Sequence, residues 1–155
     1  MHKFNSEFFI DDRLVGKNHP CLIIAEAGVS HFGDMGLARE LVDLAAESKA
    51  DIFKTQIFDI ENFISSTCPD WQERLKDRNL TLDQVFELKE RCSERGIIFM
   101  ATAHDSSRIP WLNELNVGAV KVGSGEKNNL EFISELIKVN VPMIISTGMY
   151  NQRDV

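Results

Sequence analysis

Short apolar segments alternate with helical segments through most of this 155-residue chain. Such a strand–helix repeat is typical of a parallel sheet, because two parallel strands need a long crossover connection, usually a helix. Strands are predicted near residues 21–27, 51–58, 96–102, 118–123 and 142–146. We therefore predict an α/β fold in which helices pack against a parallel sheet.

Local signals place the helices between these strands. Thr81 and Gln84 form a capping box at the start of one helix, and Asn129 precedes another with apolar residues at helical spacing. A weaker helix is predicted over 106–115, where Pro110 is tolerated only near the first turn. Helix boundaries thus follow from capping residues as well as from periodicity.

Two segments fall outside the repeat. Residues 8–16 predict a short hairpin with an acidic pair at its turn, and residues 59–80 predict one long irregular connection. We expect residues 1–20 to form a hairpin and lead-in, and residues 21–155 to form the main domain.

Composition excludes several classes of protein. The net charge is −7 without basic runs, which argues against binding nucleic acid or an anionic membrane surface. No apolar run approaches the ~20 residues needed to span a bilayer. Cys21, Cys68 and Cys92 lack metal-ligand spacing, so reduced thiols in a cytoplasmic protein are the simplest interpretation.

Polar and ionisable residues collect where the predicted strands end. Because the carboxyl ends of parallel strands lie on one side of a sheet, these side chains should face a common rim where ligands bind. Two lysines in apolar strands, together with hydroxyl groups, provide what a phosphate ester needs. The candidate residues are Glu26, Lys54, Gln56, Thr102, Lys121, Ser124 and Ser146.

Structural roles remain open for several of these residues. Thr102 and Ser146 could simply cap or turn the chain, and Lys121 could be an edge lysine before an ordinary glycine-rich turn. Burial of an ammonium without a counter-charge is costly, which favours a functional role for the lysines. His31 and His104 have no partner at metal-binding spacing, so no metal ligand is predicted.

Four motifs in register resemble the sialic acid synthase (N-acetylneuraminate synthase) family, including its bacterial spore-coat polysaccharide relatives. The motifs are Ile23 to Asp34, Ala50 to Gln56, Lys121 to Glu126 and Ile145 to Met149. The resemblance implies a TIM-type (β/α)₈ barrel. It also implies condensation of phosphoenolpyruvate with an N-acetylated hexosamine, such as N-acetylmannosamine or its 6-phosphate, to a nine-carbon sialic acid and phosphate.

The same resemblance assigns roles to the candidate residues. It implies that Gln56 neighbours the phosphoenolpyruvate site, that Glu26 lies near the reacting sugar, and that a divalent metal, Mn²⁺ or Mg²⁺, polarises the aldehyde. The implied phosphoenolpyruvate ligands are Lys54, Thr102, Lys121, Ser124 and Ser146.

Two segments depart from the family pattern. Ser30-His31-Phe32-Gly33 stands where Asn-His-Asn-Gly is usual, so the loop after the first strand could contact the sugar differently. Ala101-Thr102-Ala103-His104 replaces Ser-Thr-Pro-Phe, which keeps the threonine but loosens the turn.

Length is the larger departure, because a complete barrel of this type needs about 250 residues. The resemblance implies that the metal-binding histidines, a further glutamate and a C-terminal antifreeze-like domain lie beyond Val155. We expect only about the first five βα units here, with very low turnover by the isolated chain. We also expect a homo-oligomer or completion by another chain, since an open barrel leaves unpaired edges.

Two other functions stay open. Lys54 or Lys121 could form a Schiff base in a class I aldolase-like barrel, since desolvated lysines suit that chemistry. Alternatively, the chain could be a non-catalytic half-barrel that binds phosphate or a partner chain.

Overall fold

A computed structural model describes residues 5–155, so residues 1–4 of the predicted N-terminal segment lie outside it. The strands are β1 (Glu7–Ile10), β2 (Arg13–Gly16), β3 (Ile24–Gly28), β4 (Ile52–Ile57), β5 (Ile98–Ala103), β6 (Val120–Val122) and β7 (Met143–Ile145). The α-helices are α1 (Met35–Glu47), α2 (Ile60–Phe63), α3 (Pro69–Leu75), α4 (Leu82–Glu94), α5 (Ile109–Glu114) and α6 (Leu130–Ile137). None of the helices described is long and apolar enough to cross a bilayer.

The predicted parallel α/β alternation is confirmed, but the parallel strands form two separate sheets. Strands β3, β4 and β5 form one parallel sheet, and β6 and β7 form another that lies beside β5. Val120 and Val122 direct their backbone hydrogen bonds towards β7. In a strand, the backbone N–H and C=O groups of successive residues point alternately to the two neighbouring strands. In the three-residue strand β6, only Lys121 therefore directs its backbone groups towards β5.

One face of the strands carries most of the apolar core. Side chains such as Phe53, Phe99 and Val120 point towards the helices and are almost fully buried. Their partners on the helices include Val42, Leu88, Leu112 and Leu136. Burial of one such side chain is worth about 1.5–3 kcal/mol, so this layer holds the helices on the sheet.

The opposite face contains a smaller apolar cluster near the amino ends of the strands. Ile10 of the hairpin packs there with Ile52, Met100 and Ala119. Strands β1 and β2 are paired antiparallel, which confirms the predicted hairpin. The hairpin therefore covers the amino-end part of this inner face and leaves the carboxyl-end part to the polar residues.

The connection 59–80 is not irregular throughout, so that prediction was wrong in part. It contains α2, α3 and a short 3₁₀-helix. Asp59 caps α2 with its side chain, and Pro69 occupies the first turn of α3. Gln72 donates to the Ile64 carbonyl oxygen at 2.9 Å, which ties the two helices together. The predicted capping box at Thr81 is confirmed.

Candidate active site

Strand alternation turns the candidate residues away from the helix-packed core. In β4, Phe53 and Ile57 pack against the helices, whereas Lys54 and Gln56 project from the other face. Lys54 follows Ile52 by two residues on the same face of β4, and Ile52 belongs to the apolar cluster near the amino ends of the strands. The polar residues therefore form the next layer of the inner face, closer to the carboxyl ends of the strands.

Lys54 is at the centre of one polar group. It is only 7% exposed, and it forms an ion pair with Glu26, its register partner on β3. Its Nζ atom also lies 3.4 Å from Oγ1 of Thr102, which is 4% exposed. The glutamate therefore neutralises a buried ammonium that a hydroxyl group also contacts.

Lys121 is at the centre of a second polar group. Its Nζ atom donates to Oγ of Ser146 at 2.6 Å and to the Val122 carbonyl oxygen at 2.7 Å. Burial lowers the pKa of Lys121, the positive charge of Lys54 lowers it further, and the carboxylate of Glu26 opposes both effects. Because like charges repel, a negative charge near both lysines would stabilise their ammonium forms.

Gln56 and Glu26 both approach Gly28. A Cβ atom added to this glycine would lie 3.4 Å from Oε1 of Glu26 and 3.6 Å from Nε2 of Gln56. The backbone of Gly28 has φ +55°, in the left-handed region, and the ladder between β3 and β4 shifts register here. The side chains of Glu26 and Gln56 therefore both border the backbone of Gly28.

Ser124 lies in the loop after β6, at the start of a 3₁₀-helix (Ser124–Asn128). Its Oγ atom is 3.6 Å from the position that a Cβ atom on Gly148 would take, so the loops after β6 and β7 meet here. The structure brings together Glu26, Lys54 and Thr102 in one group and Lys121 and Ser146 in another. Its hydrogen bonds do not join Ser124 to either group within the described residues.

Metal ligation finds no support in residues 5–155. Those residues contain no cluster of three or more histidine, cysteine, aspartate or glutamate side chains that could hold an ion. His31 is 1% exposed, and its Nδ1 atom accepts a hydrogen bond from the Gly33 backbone at 3.0 Å. A divalent metal therefore remains a prediction that these residues do not fit.

His104 is a further candidate site residue that the set predicted from the sequence does not contain. Its ring stacks on Phe63 with a centroid separation of 4.6 Å, and its buried Nε2 atom has no hydrogen-bond partner among residues 5–155. Burial lowers the pKa of His104, as does the charge of Lys54. The sequence feature that could have identified His104 is its position two residues after Thr102, because strand residues two apart share a face.

Comparison with known proteins identifies relatives of this chain. The model of the NeuB family matches residues 41–155. The chain is 35% identical to human N-acetylneuraminate-9-phosphate synthase over 149 residues, covering 88% of this chain and 42% of the relative. It is 37% identical to N,N'-diacetyllegionaminic acid synthase of Legionella pneumophila over 153 residues, covering 90% of this chain and 43% of the relative.

A solved structure supports the same relationship. The N-acetylneuraminic acid synthetase of Leptospira borgpetersenii, crystallised with citrate, superposes with a TM-score of 0.91 at 28% identity. The alignment covers 99% of this chain and 54% of that structure. The chain thus spans about two fifths of the length of these curated relatives and has the α/β fold of barrel-type synthases. From its motifs, its fold and its family match, this chain belongs to the NeuB family, the sialic acid synthase family that its sequence resembles.

Proposed function

We propose that this protein binds phosphoenolpyruvate on the inner face of its strands. The observation that carries this proposal is that the Lys54 and Lys121 ammonium groups project from the same face of the strands, on β4 and β6 at either side of β5, each beside a hydroxyl group. Phosphoenolpyruvate has a phosphate and a carboxylate, so two cations separated by hydroxyl donors match its charge distribution. Ser124 and Gln56 border this region and are proposed to complete the ligand set.

The proposed reaction joins the methylene carbon of phosphoenolpyruvate to the aldehyde carbon of an N-acetylated hexosamine. Water then adds to the phosphate-bearing carbon, and phosphate departs to leave a nonulosonic acid. The lysines stabilise the phosphate and carboxylate, while Thr102 and Ser146 orient them. Glu26 is half-exposed at the edge of the group, where it can act on the incoming sugar.

Other parts of this function stay predictions. They are the choice between a free and a phosphorylated hexosamine, the divalent metal with ligands outside the described residues, the five-unit partial barrel, low activity of the isolated chain, and cytoplasmic location.

Homo-oligomer formation or completion by another chain is proposed on a specific observation. Ile23 is 56% exposed before β3 and Ile145 is 47% exposed on β7, the strands at the two ends of the described sheets.

Binding of phosphoenolpyruvate tests the proposal directly. The ³¹P resonance of phosphoenolpyruvate should broaden and shift with the parent chain but not with Lys54→Met. Lys138→Met is the matched control, because Lys138 is exposed at the end of α6 and changes the net charge equally. Equal binding by the parent and Lys54→Met would contradict the proposed site.

A Schiff-base lysine is the alternative chemistry, and the lowered pKa of Lys121 is the observation in its favour. Incubation with pyruvate and borohydride separates the two mechanisms. We expect no mass adduct, since the Nζ atom of Lys121 is engaged by Ser146 and by the Val122 carbonyl oxygen. An adduct on Lys121 would favour the aldolase-like reaction over phosphoenolpyruvate condensation.

A further inference from the structure

Asp105 joins the ends of two neighbouring strands. It lies two residues beyond β5, it is only 6% exposed, and each of its carboxylate oxygens accepts from a backbone N–H. Oδ1 accepts from Ser107 at 2.9 Å and also from the Ser107 hydroxyl group. Oδ2 accepts at 2.7 Å from Asp59, which lies two residues beyond β4. The carboxylate therefore bonds the loop after β5 to the loop after β4.

Capping of a helix does not need this second bond. Asp34 caps α1 with one oxygen, Oδ1, which accepts from two backbone N–H groups of the same turn. Asp105 likewise caps the 3₁₀-helix that follows it (Ser106–Arg108) with Oδ1. Its Oδ2 atom is left to bond Asp59. The second oxygen of Asp105 thus acts between strands, which a cap within one turn does not do.

Arg108 makes a second connection between the same two loops. Its guanidinium donates to Oδ2 of Asp59 at 3.3 Å and to Oγ of Ser107 at 3.0 Å. The guanidinium also lies over the ring of Trp111, 4.2 Å from the ring centroid, and the Arg108 side chain is 14% exposed. These hydrogen bonds form a closed ring, which we call the β4–β5 clasp, of Asp59, Asp105, Ser107 and Arg108. A closed ring of satisfied polar groups holds both loops in one arrangement.

The β4–β5 clasp lies just beyond the contact between Lys54 and Thr102. These residues are on β4 and β5, and the last backbone hydrogen bond between the two strands within residues 5–155 runs from His104 to Ile57. Thr102 precedes Asp105 by three residues, which is about 10 Å along a strand. The distance from Nζ of Lys54 to Oγ1 of Thr102 is 3.4 Å, close to the upper limit of a hydrogen bond. A small separation of the strand ends would therefore break this contact.

We propose that Asp105 is a positioning residue of the phosphoenolpyruvate site. Through the β4–β5 clasp it holds the ends of β4 and β5 together, so that the Lys54 ammonium and the Thr102 hydroxyl group can reach the same ligand. Asp105 does not itself contact the ligand. This inference rests on the proposed function, because it concerns the site where phosphoenolpyruvate is proposed to bind.

The charge of Asp105 and its position predict opposite effects on anion binding. Burial and the charge of Lys54 lower the pKa of His104, whereas the charge of Asp105 raises it, so this carboxylate acts electrostatically on a neighbour of the lysine. Removal of its negative charge by itself should strengthen the binding of an anion. Loss of the β4–β5 clasp should weaken that binding.

Asp105→Asn tests the inference on the 155-residue chain. Asparagine keeps one oxygen for the turn with Ser107 but presents an amide N–H₂ group to the Asp59 N–H, which breaks the bond between the loops. We expect phosphoenolpyruvate to bind about tenfold more weakly in a ³¹P titration, the value of one hydrogen bond to a charged group. Arg108→Lys keeps the charge but loses the paired guanidinium bonds, so it should weaken binding in the same direction.

Asp34→Ala is the control for loss of stability. It removes a cap within one turn, so it should lower the urea midpoint while phosphoenolpyruvate binding stays within about twofold of the parent. Unchanged or tighter binding by Asp105→Asn would overturn the inference and leave the proposed function standing, and so would equal weakening by Asp34→Ala. If Asp105→Asn does not fold, Arg108→Lys decides by the same criteria. Failure of the parent to bind phosphoenolpyruvate would refute the proposed function and this inference together.

Discussion

Lys54 and Glu26 are register partners on adjacent parallel strands, and their side chains form an ion pair on the inner face. The ammonium is almost completely buried, while the carboxylate side chain is 46% exposed. A half-exposed carboxylate can turn towards solvent or ligand at little energetic cost, whereas the buried ammonium always needs a negative partner. An anionic ligand can therefore replace Glu26 as that partner.

Replacement of Glu26 by glutamine should make stability depend on phosphate. Loss of the counter-charge leaves Lys54 buried without an anion, and we expect the free energy of unfolding to fall by about 1–3 kcal/mol. Added inorganic phosphate should recover part of that loss by binding beside the ammonium. Urea unfolding with and without phosphate measures both effects. Glu40→Gln on the exposed surface of α1 is the control, and equal stabilities of the two variants would contradict the prediction.

The lowered pKa of Lys121 predicts a specific dependence of stability on pH. Between its lowered folded value and the unfolded value of 10.5, the unfolded chain holds a proton that the folded chain has lost. This side chain therefore makes the free energy of unfolding rise with pH through that window. Denaturant unfolding of the parent and Lys121→Met across alkaline pH should show the parent gaining stability relative to the variant. Parallel pH profiles would rule out this contribution.

Two glycines with similar backbones should differ in their tolerance of alanine. Gly33 has φ +83° and Gly96 has φ +72°, but a Cβ atom on Gly33 would lie 1.8 Å from the Asp77 carbonyl oxygen, whereas one on Gly96 meets nothing within 4 Å. Gly96→Ala should lose about 1–2 kcal/mol from the left-handed backbone alone. Gly33→Ala should lose clearly more, because the loop must also move away from Asp77. Urea unfolding compares them, and equal losses would show that the contact is unimportant.

The three cysteines should separate into two reactivity classes. Cys21 and Cys68 are exposed, whereas Cys92 is buried in α4, where burial raises its pKa to about 12. Because the thiolate is the reactive form, Ellman's reagent should label two thiols quickly at pH 8 and the third only in denaturant. Cys92→Ala should give two thiols in both conditions. Rapid labelling of three thiols in the native parent would contradict the packing of α4.

The sequence by itself determined the order of strands and helices, several helix caps and the types of residues at the strand ends. These features are local: the capping box at Thr81 and the alternation of Phe53 with Lys54 need only neighbouring residues. The motifs also identified the family, because four segments in register are specific. Strand alternation was enough to predict that Lys54 and Lys121 share a face of the sheet.

Tertiary structure decided which of these groups touch. The ion pair of Lys54 with Glu26 depends on the register between β3 and β4, and the stacking of the His104 ring depends on Phe63 from α2. The separation of β6 and β7 from the sheet of β3, β4 and β5 depends on which neighbouring strand the few backbone N–H and C=O groups of β6 point towards. These relationships join residues distant in the chain, so their geometry and electrostatics arise only when packing brings separate segments together.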